Sequence, residues 1–166
     1  IRLVTQPKEG PKPNQFEKLP REEDPPSPAT VIHPKTKKTA TILDKQTLVF
    51  LKPGAEPLSG VKHVAPEEIH EIHFSPEENL DSLLVLMKSG KLYLFDQHIP
   101  TWRIIPVEGT VRGVCFNHVS GVLAVGTEEG FISLWDPHTT ARLSLPQRVY
   151  DPVQWIRWSL DGETIG

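Results

Sequence analysis

The sequence has little from which to build a redox or metal centre. Cys115 is its one cysteine, so an internal disulfide and an all-cysteine metal site are both excluded. The reading for Cys115 itself is a small buried hydrophobe in a strand. No apolar run approaches the roughly 18 to 20 residues that cross a bilayer as a helix, and the N-terminus lacks the charged-then-apolar order of a signal peptide. Excess charge of either sign is missing too. The 18 basic and 21 acidic residues leave a formal net charge of -3, which gives no general footprint for nucleic acid or an anionic membrane surface. No segment carries a sustained 3.6-residue apolar period, so helix content is expected to be low.

What is present divides into two unequal parts. Residues 1 to 28 hold seven prolines and ten charged side chains. With so many fixed φ angles and so few apolar groups, this segment is expected to be an extended linker or a strip lying on the surface. From residue 29 to 166 the texture changes to short runs rich in β-branched and aromatic residues, broken by Gly, Pro, Asp and Ser clusters, which are strand and turn signals. Strands are predicted near residues 30–33, 39–43, 47–51, 69–74, 83–87, 91–95, 102–106, 111–116, 122–125, 131–135, 142–145 and 154–158. The chain opens on Ile1 rather than Met and stops at Gly166 during a strand approach, so it is expected to be a piece of a longer protein.

A repeat organises these strands. The pattern apolar-x-aromatic followed by Ser or Asn recurs in IHFSP (72–76), VCFNH (114–118) and IRWSL (156–160), placing Phe74, Phe116 and Trp158 42 residues apart. A further step back lands on Ile32 in TVIHP. A second series agrees: SGKLYLFD (89–96) aligns with EGFISLWD (129–136) at a step of 40, and KQTLVFLK (45–52) fits 44 residues earlier. Phe95-Asp96 and Trp135-Asp136 close two of these units, and Gly130 opens the strand that ends in Trp135. LLVLM (83–87) and LYLF (92–95) are apolar at successive positions, as a strand covered on both faces must be.

Short strands in units of about 40 to 45 residues with a terminal Trp-Asp resemble the WD40 family of β-propellers. That resemblance implies about three four-stranded antiparallel blades plus the start of a fourth, a fragment of a larger propeller. The Gly-His that usually opens such a repeat is absent, with Gly109-Thr110 nearest to it, so of the family's Trp, Ser/Thr, His and Asp bonding set only Trp135-Asp136 carries over. Within the family, residues 114–145 are similar to the nucleolar protein 10-like ribosome-biogenesis factors. The set includes Val114-Cys115, Asn117, Gly121, Leu123-Ala124, Gly126-Thr127, Glu129-Gly130, Trp135-Asp136-Pro137, Thr139 and Arg142. It implies a nucleolar or nuclear location and protein partners in a pre-ribosomal particle, with RNA touched indirectly.

Sites for chemistry are sparse. His70 and His73 flank Glu71, but on a regular strand residues i and i+3 face opposite ways, so a shared metal ion is not expected. The acid pairs Glu67-Glu68, Glu77-Glu78 and Glu128-Glu129 fall at turns, without the apolar surroundings that separate two carboxylate pKa values. No phosphate loop, nucleophile elbow or zinc spacing is present. A propeller enzyme would need ionisable side chains converging on the central channel, and the strand-start positions show no such cluster. No catalytic residue, cofactor, metal or small-molecule substrate is therefore expected. The reading is a non-catalytic scaffold that binds proteins in a multisubunit complex inside the cell. Phe74, Phe95, Asp96, Phe116, Gly130, Trp135, Asp136 and Trp158 serve as structural anchors, and Glu128, Glu129, His138 and Trp155 are left for partner recognition. Loops 98–100 and 146–152 would present further contacts. The rival reading is an adaptor in ubiquitin ligation, vesicle trafficking or cilia, with a cytoplasmic location. For ligation the Trp-Asp-x-Arg box that docks an adaptor has His138 where the arginine would stand.

Overall fold

The computed structural model describes residues 30–51, 60–77 and 82–166. The proline-rich segment and Glu78 lie outside the described residues. Among those residues there is no helix, and none long and apolar enough to cross a membrane. Three antiparallel sheets follow one another along the chain. The first contains β1 (Thr30–Ile32), β2 (Thr39–Leu43), β3 (Thr47–Leu51) and β4 (Val61–Val64) in sequential order. The second repeats that order with β5 (Ile69–Phe74), β6 (Ser82–Met87), β7 (Leu92–Asp96) and β8 (Thr101–Ile105). The third has β9 (Val111–Phe116), β10 (Leu123–Thr127) and β11 (Phe131–Asp136), with an outer strand in two pieces, β12 (Ala141–Arg142) and β13 (Gln147–Arg148), both paired to β11. Ile32, Phe74 and Phe116 each end the first strand of their sheet, so the 42-residue anchors mark one structural position.

Stacking explains the composition of the strands. Every residue of β6 is buried. Leu83, Val85 and Met87 pack with Ala40, Leu48, Phe50 and Phe95 between the first two sheets, while Leu84 and Leu86 pack with Leu92, Leu123, Val125 and Trp135 between the second and third. A strand with only one covered face would alternate polar residues at these positions. Each buried aliphatic side chain contributes about 1.5–3 kcal/mol relative to exposure. The far face of the third sheet, carrying Ala124, Ile132 and Leu134, is covered by Val153, Ile156 and Trp158 from the segment that follows. All-β architecture built from stacked four-stranded antiparallel units is thus observed, in an arrangement consistent with part of a β-propeller.

Turns bind one sheet to the next. In the β6–β7 and β10–β11 turns Gly90 and Gly130 take φ of 87° and 81°, the left-handed region that glycine enters without a Cβ penalty. The Gly90 carbonyl then accepts the Val111 N–H at the start of the next sheet (2.9 Å), and the Gly130 carbonyl accepts the Val149 N–H (2.8 Å). In the first sheet Lys45 takes the same role, accepting the Ile69 N–H at 2.8 Å.

The structure departs from the sequence reading in four places. The strand β4 was not foreseen, because Val61 and Val64 at this outer edge are 65% and 70% exposed and carry no apolar pattern. Residues 154–158 form no strand. Only Trp158 bridges to Ile165, with Arg157 and Gly166 exchanging backbone hydrogen bonds, so the expected start of a fourth blade is a short hairpin. The strand expected at 142–145 is interrupted where the Ser144 hydroxyl takes the Leu134 N–H at 3.0 Å and Pro146 has no N–H to offer. Cys115 is half-buried rather than buried.

Candidate functional site

The first strand of each sheet is its terminal strand, and β1, β5 and β9 leave a groove of about 440 Å³ between them and residues 154–157. Its floor is apolar, with Val31, Ile32, Phe74, Val114 and Phe116. Its walls carry Glu71, His73, Arg112, His118, Gln154 and Arg157. The segment 154–157 approaches β9 this closely because residue 113 is glycine: a Cβ there would lie 3.0 Å from the Trp155 Cα. Trp155 lines the groove and is 66% exposed.

A bulge in β5 shapes the acidic wall. The pairing to β6 slips between Ile69 and Glu71, so the strict two-residue alternation is broken and Ile69 and Ile72 both point into the core. The Glu71 carboxylate then lies 3.5 Å from His70 Nε2 through one oxygen and 3.1 Å from His73 Nε2 through the other. The two imidazoles thus reach one carboxylate through different oxygens, and only His73 lines the groove. Among the described residues no group of three His, Cys, Asp or Glu side chains is placed to hold a metal ion. Opposite, Arg112 donates from Nε (3.1 Å) and Nη2 (3.0 Å) to one oxygen of Glu128. No described side chain pairs with His118 or Arg157. Glu71, His73, Arg112, His118 and Arg157 thus bring charged or titratable side chains of both signs to this one groove.

Compared with models of known families the chain matches none, and no curated protein matches it. The chemistry of the groove and its surroundings is the guide to function.

The predicted anchors sit in the sheets. Phe95 is fully buried, stacked on Phe50 (centroids 5.7 Å) and tilted against Trp102 (4.6 Å). Phe74 meets His33 edge-on at 5.4 Å. Phe116 is buried between the second and third sheets, and Trp158 donates from Nε1 to the Cys115 carbonyl at 3.2 Å. The Trp135 indole is buried and donates to the Ser133 hydroxyl at 2.8 Å. Asp96 and Asp136 make the same turn, their Oδ1 atoms accepting the N–H groups of His98 and His138, both at 2.8 Å. Burial opposes ionisation of Asp136, but the N–H of His138 and the hydroxyl and N–H of Thr139 outweigh it and hold its carboxyl below the usual aspartate range.

Three of the four residues reserved for recognition are already engaged within the chain. Glu128 holds Arg112. Glu129 accepts the Thr110 N–H through both oxygens, at 2.9 and 3.1 Å, and that bond holds its carboxyl below the usual glutamate range. His138 Nε2 lies 3.0 Å from Glu77 Oε1, and its carbonyl accepts from Arg103 at 3.1 Å, so it ties the third sheet to the second. Trp155 alone presents its ring to solvent in the groove. The sequence signal that would have found the rest was one step away: Val31, His73, Cys115 and Arg157 each precede an anchor by one residue, and Glu71, Gly113 and Trp155 precede one by three.

Proposed function

We propose that the chain is part of a WD40-type β-propeller that acts as a non-catalytic scaffold, holding a protein partner at the groove between its first strands. The observation that carries this reading is β6, buried on both faces by the sheets before and after it, which is how a blade sits between neighbours. Glu129 closes the Gly109-Thr110 turn, where the usual Gly-His of such a unit would stand. The similarity of residues 114–145 to nucleolar protein 10-like factors favours a small-subunit pre-ribosomal particle as the assembly, with protein contacts made here and RNA touched indirectly, in the nucleolus or nucleus. Cross-linking of the full-length protein in cells, followed by mass spectrometry, tests this. Pre-ribosomal proteins cross-linked to groove residues are expected; ligase adaptors or coat components in their place overturn the assembly, and cross-links confined to other surfaces overturn the groove.

A further inference from the structure

We infer that the groove takes an extended acidic segment of the partner, one that alternates carboxylate and large apolar side chains. The inference rests on the scaffold reading in treating the groove as the partner surface, and it adds the chemistry of what binds there.

Charge decides the sign of the occupant. The groove acid Glu71 is held between two imidazoles, and Arg112 is matched by Glu128 just outside. What remains without a described partner is the Arg157 guanidinium and the His118 imidazole. A carboxylate entering the groove meets Arg157 with no competing acid, whereas an entering lysine meets only a glutamate that is already occupied. Exposed ion pairs add little affinity, but matched against mismatched charge sets which partner is accepted.

Geometry decides the backbone and the alternation. The strands β1, β5 and β9 each have one edge without a neighbouring described strand, and such an edge presents alternating N–H and C=O groups that an extended peptide can pair with. An extended peptide turns successive side chains to opposite sides about 3.3 Å apart along the chain. One side would settle on Phe74, Ile32 and the indole of Trp155, and the other would reach Arg157. A nucleic acid strand has no amide N–H and C=O ladder to match these edges, and its continuous phosphates would face Glu71.

Fluorescence anisotropy with the whole chain tests the inference. The probe is a fluorescein-labelled peptide of about eight residues alternating Glu and Phe, set against the same peptide with Lys for Glu and against a labelled uridylate oligomer of equal length. The acidic peptide is expected to bind at least about ten-fold more tightly than its lysine counterpart and to change the fluorescence of Trp155. Arg157→Glu and Trp155→Ala are each expected to weaken it at least about five-fold, with unchanged circular dichroism showing that both variants fold. Equal binding of the two peptides, binding of neither, or indifference to Arg157→Glu would overturn the inference. Tighter binding of the uridylate oligomer would replace the peptide with a single-stranded nucleic acid. A partner cross-linked in the groove through a neutral or basic segment would overturn this inference and leave the scaffold reading intact.

Discussion

Asn117 is the place where the repeat can be tested by a single side chain. It follows the anchor Phe116, and its counterparts at steps of 42 are His33, Ser75 and Ser159. All four cap the turn they enter. His33 Nδ1 accepts the N–H of Lys35 and Thr36 (both 3.2 Å), Ser75 Oγ accepts that of Glu77 (3.5 Å), and Ser159 Oγ accepts that of Thr164 (3.0 Å). Asn117 Oδ1 accepts from Val119 (2.9 Å) and Ser120 (3.2 Å), and its Nδ2 also donates to the Gly162 carbonyl at 2.8 Å, clamping the C-terminal hairpin. Replacing it with alanine removes three bonds of about 1 kcal/mol each. The turn is open to water, with Val119 70% exposed, so the two freed N–H groups rehydrate and the expected loss is about 2 kcal/mol. Asn117→Ser keeps a capping oxygen but not the clamp, and is expected to lose about half as much. Urea unfolding followed by tryptophan fluorescence measures both. If serine is as damaging as alanine, or alanine costs less than about 0.5 kcal/mol, the capping role assigned to this repeat position is wrong.

Other positions report on other parts of the argument. Leu83→Ala and Leu84→Ala, neighbours on β6, should each destabilise by about 2–5 kcal/mol in chemical denaturation; a mild effect at either would mean that one face of the second sheet is not covered. Gly130→Ala should cost about 1–3 kcal/mol from its positive φ, and more than Gly90→Ala in a thermal melt. The new Cβ at 130 would lie 2.6 Å from the Val149 carbonyl, whereas at 90 the closest atom is the methyl of Thr110. Glu129 is ionised more readily folded than unfolded, so its contribution is present above the ordinary glutamate value of 4.5 and is lost as pH falls through the lowered folded value. Glu129→Gln should therefore flatten that part of the acid limb of a stability–pH profile, and a limb unchanged by the substitution would remove the Thr110 bond from the account.

The strands that read clearly were those whose residues must satisfy two neighbours at once. In β6 five consecutive apolar side chains admit no solvent face, and the anchors at 42-residue steps fixed where each unit begins. Where one face or one edge met water, the pattern faded. Lys62 lies between His63 and the exposed Val61 in β4, a composition indistinguishable from a loop until Thr47–Phe50 of β3 supplies the hydrogen-bonding partner. Residues 154–158 failed in the opposite sense: their apolar pattern is that of a strand, but ladder formation requires a partner, and among the described residues only Ile165 and Gly166 pair with them.

The groove was harder to see for a different reason. A repeat makes positions equivalent in space, while recognition depends on where equivalent positions differ in chemistry. One residue before each anchor the chain has Val31, His73, Cys115 and Arg157, and three residues before it Glu71, Gly113 and Trp155. Searching for likeness passes over these series because their members are unlike one another. Yet the fold brings them to one opening, and each difference has a consequence there: glycine admits the neighbouring segment, histidine occupies the acid, and arginine is left with charge to spare. The acid pair at 128–129 shows the converse. Crowded together in sequence it looked available, but its two carboxylates face different partners, Arg112 and Thr110, and both are taken. In such an architecture a local cluster of polar residues is weak guidance to a site. Dissimilar residues at one phase of the repeat are stronger guidance, because the backbone has already placed them together.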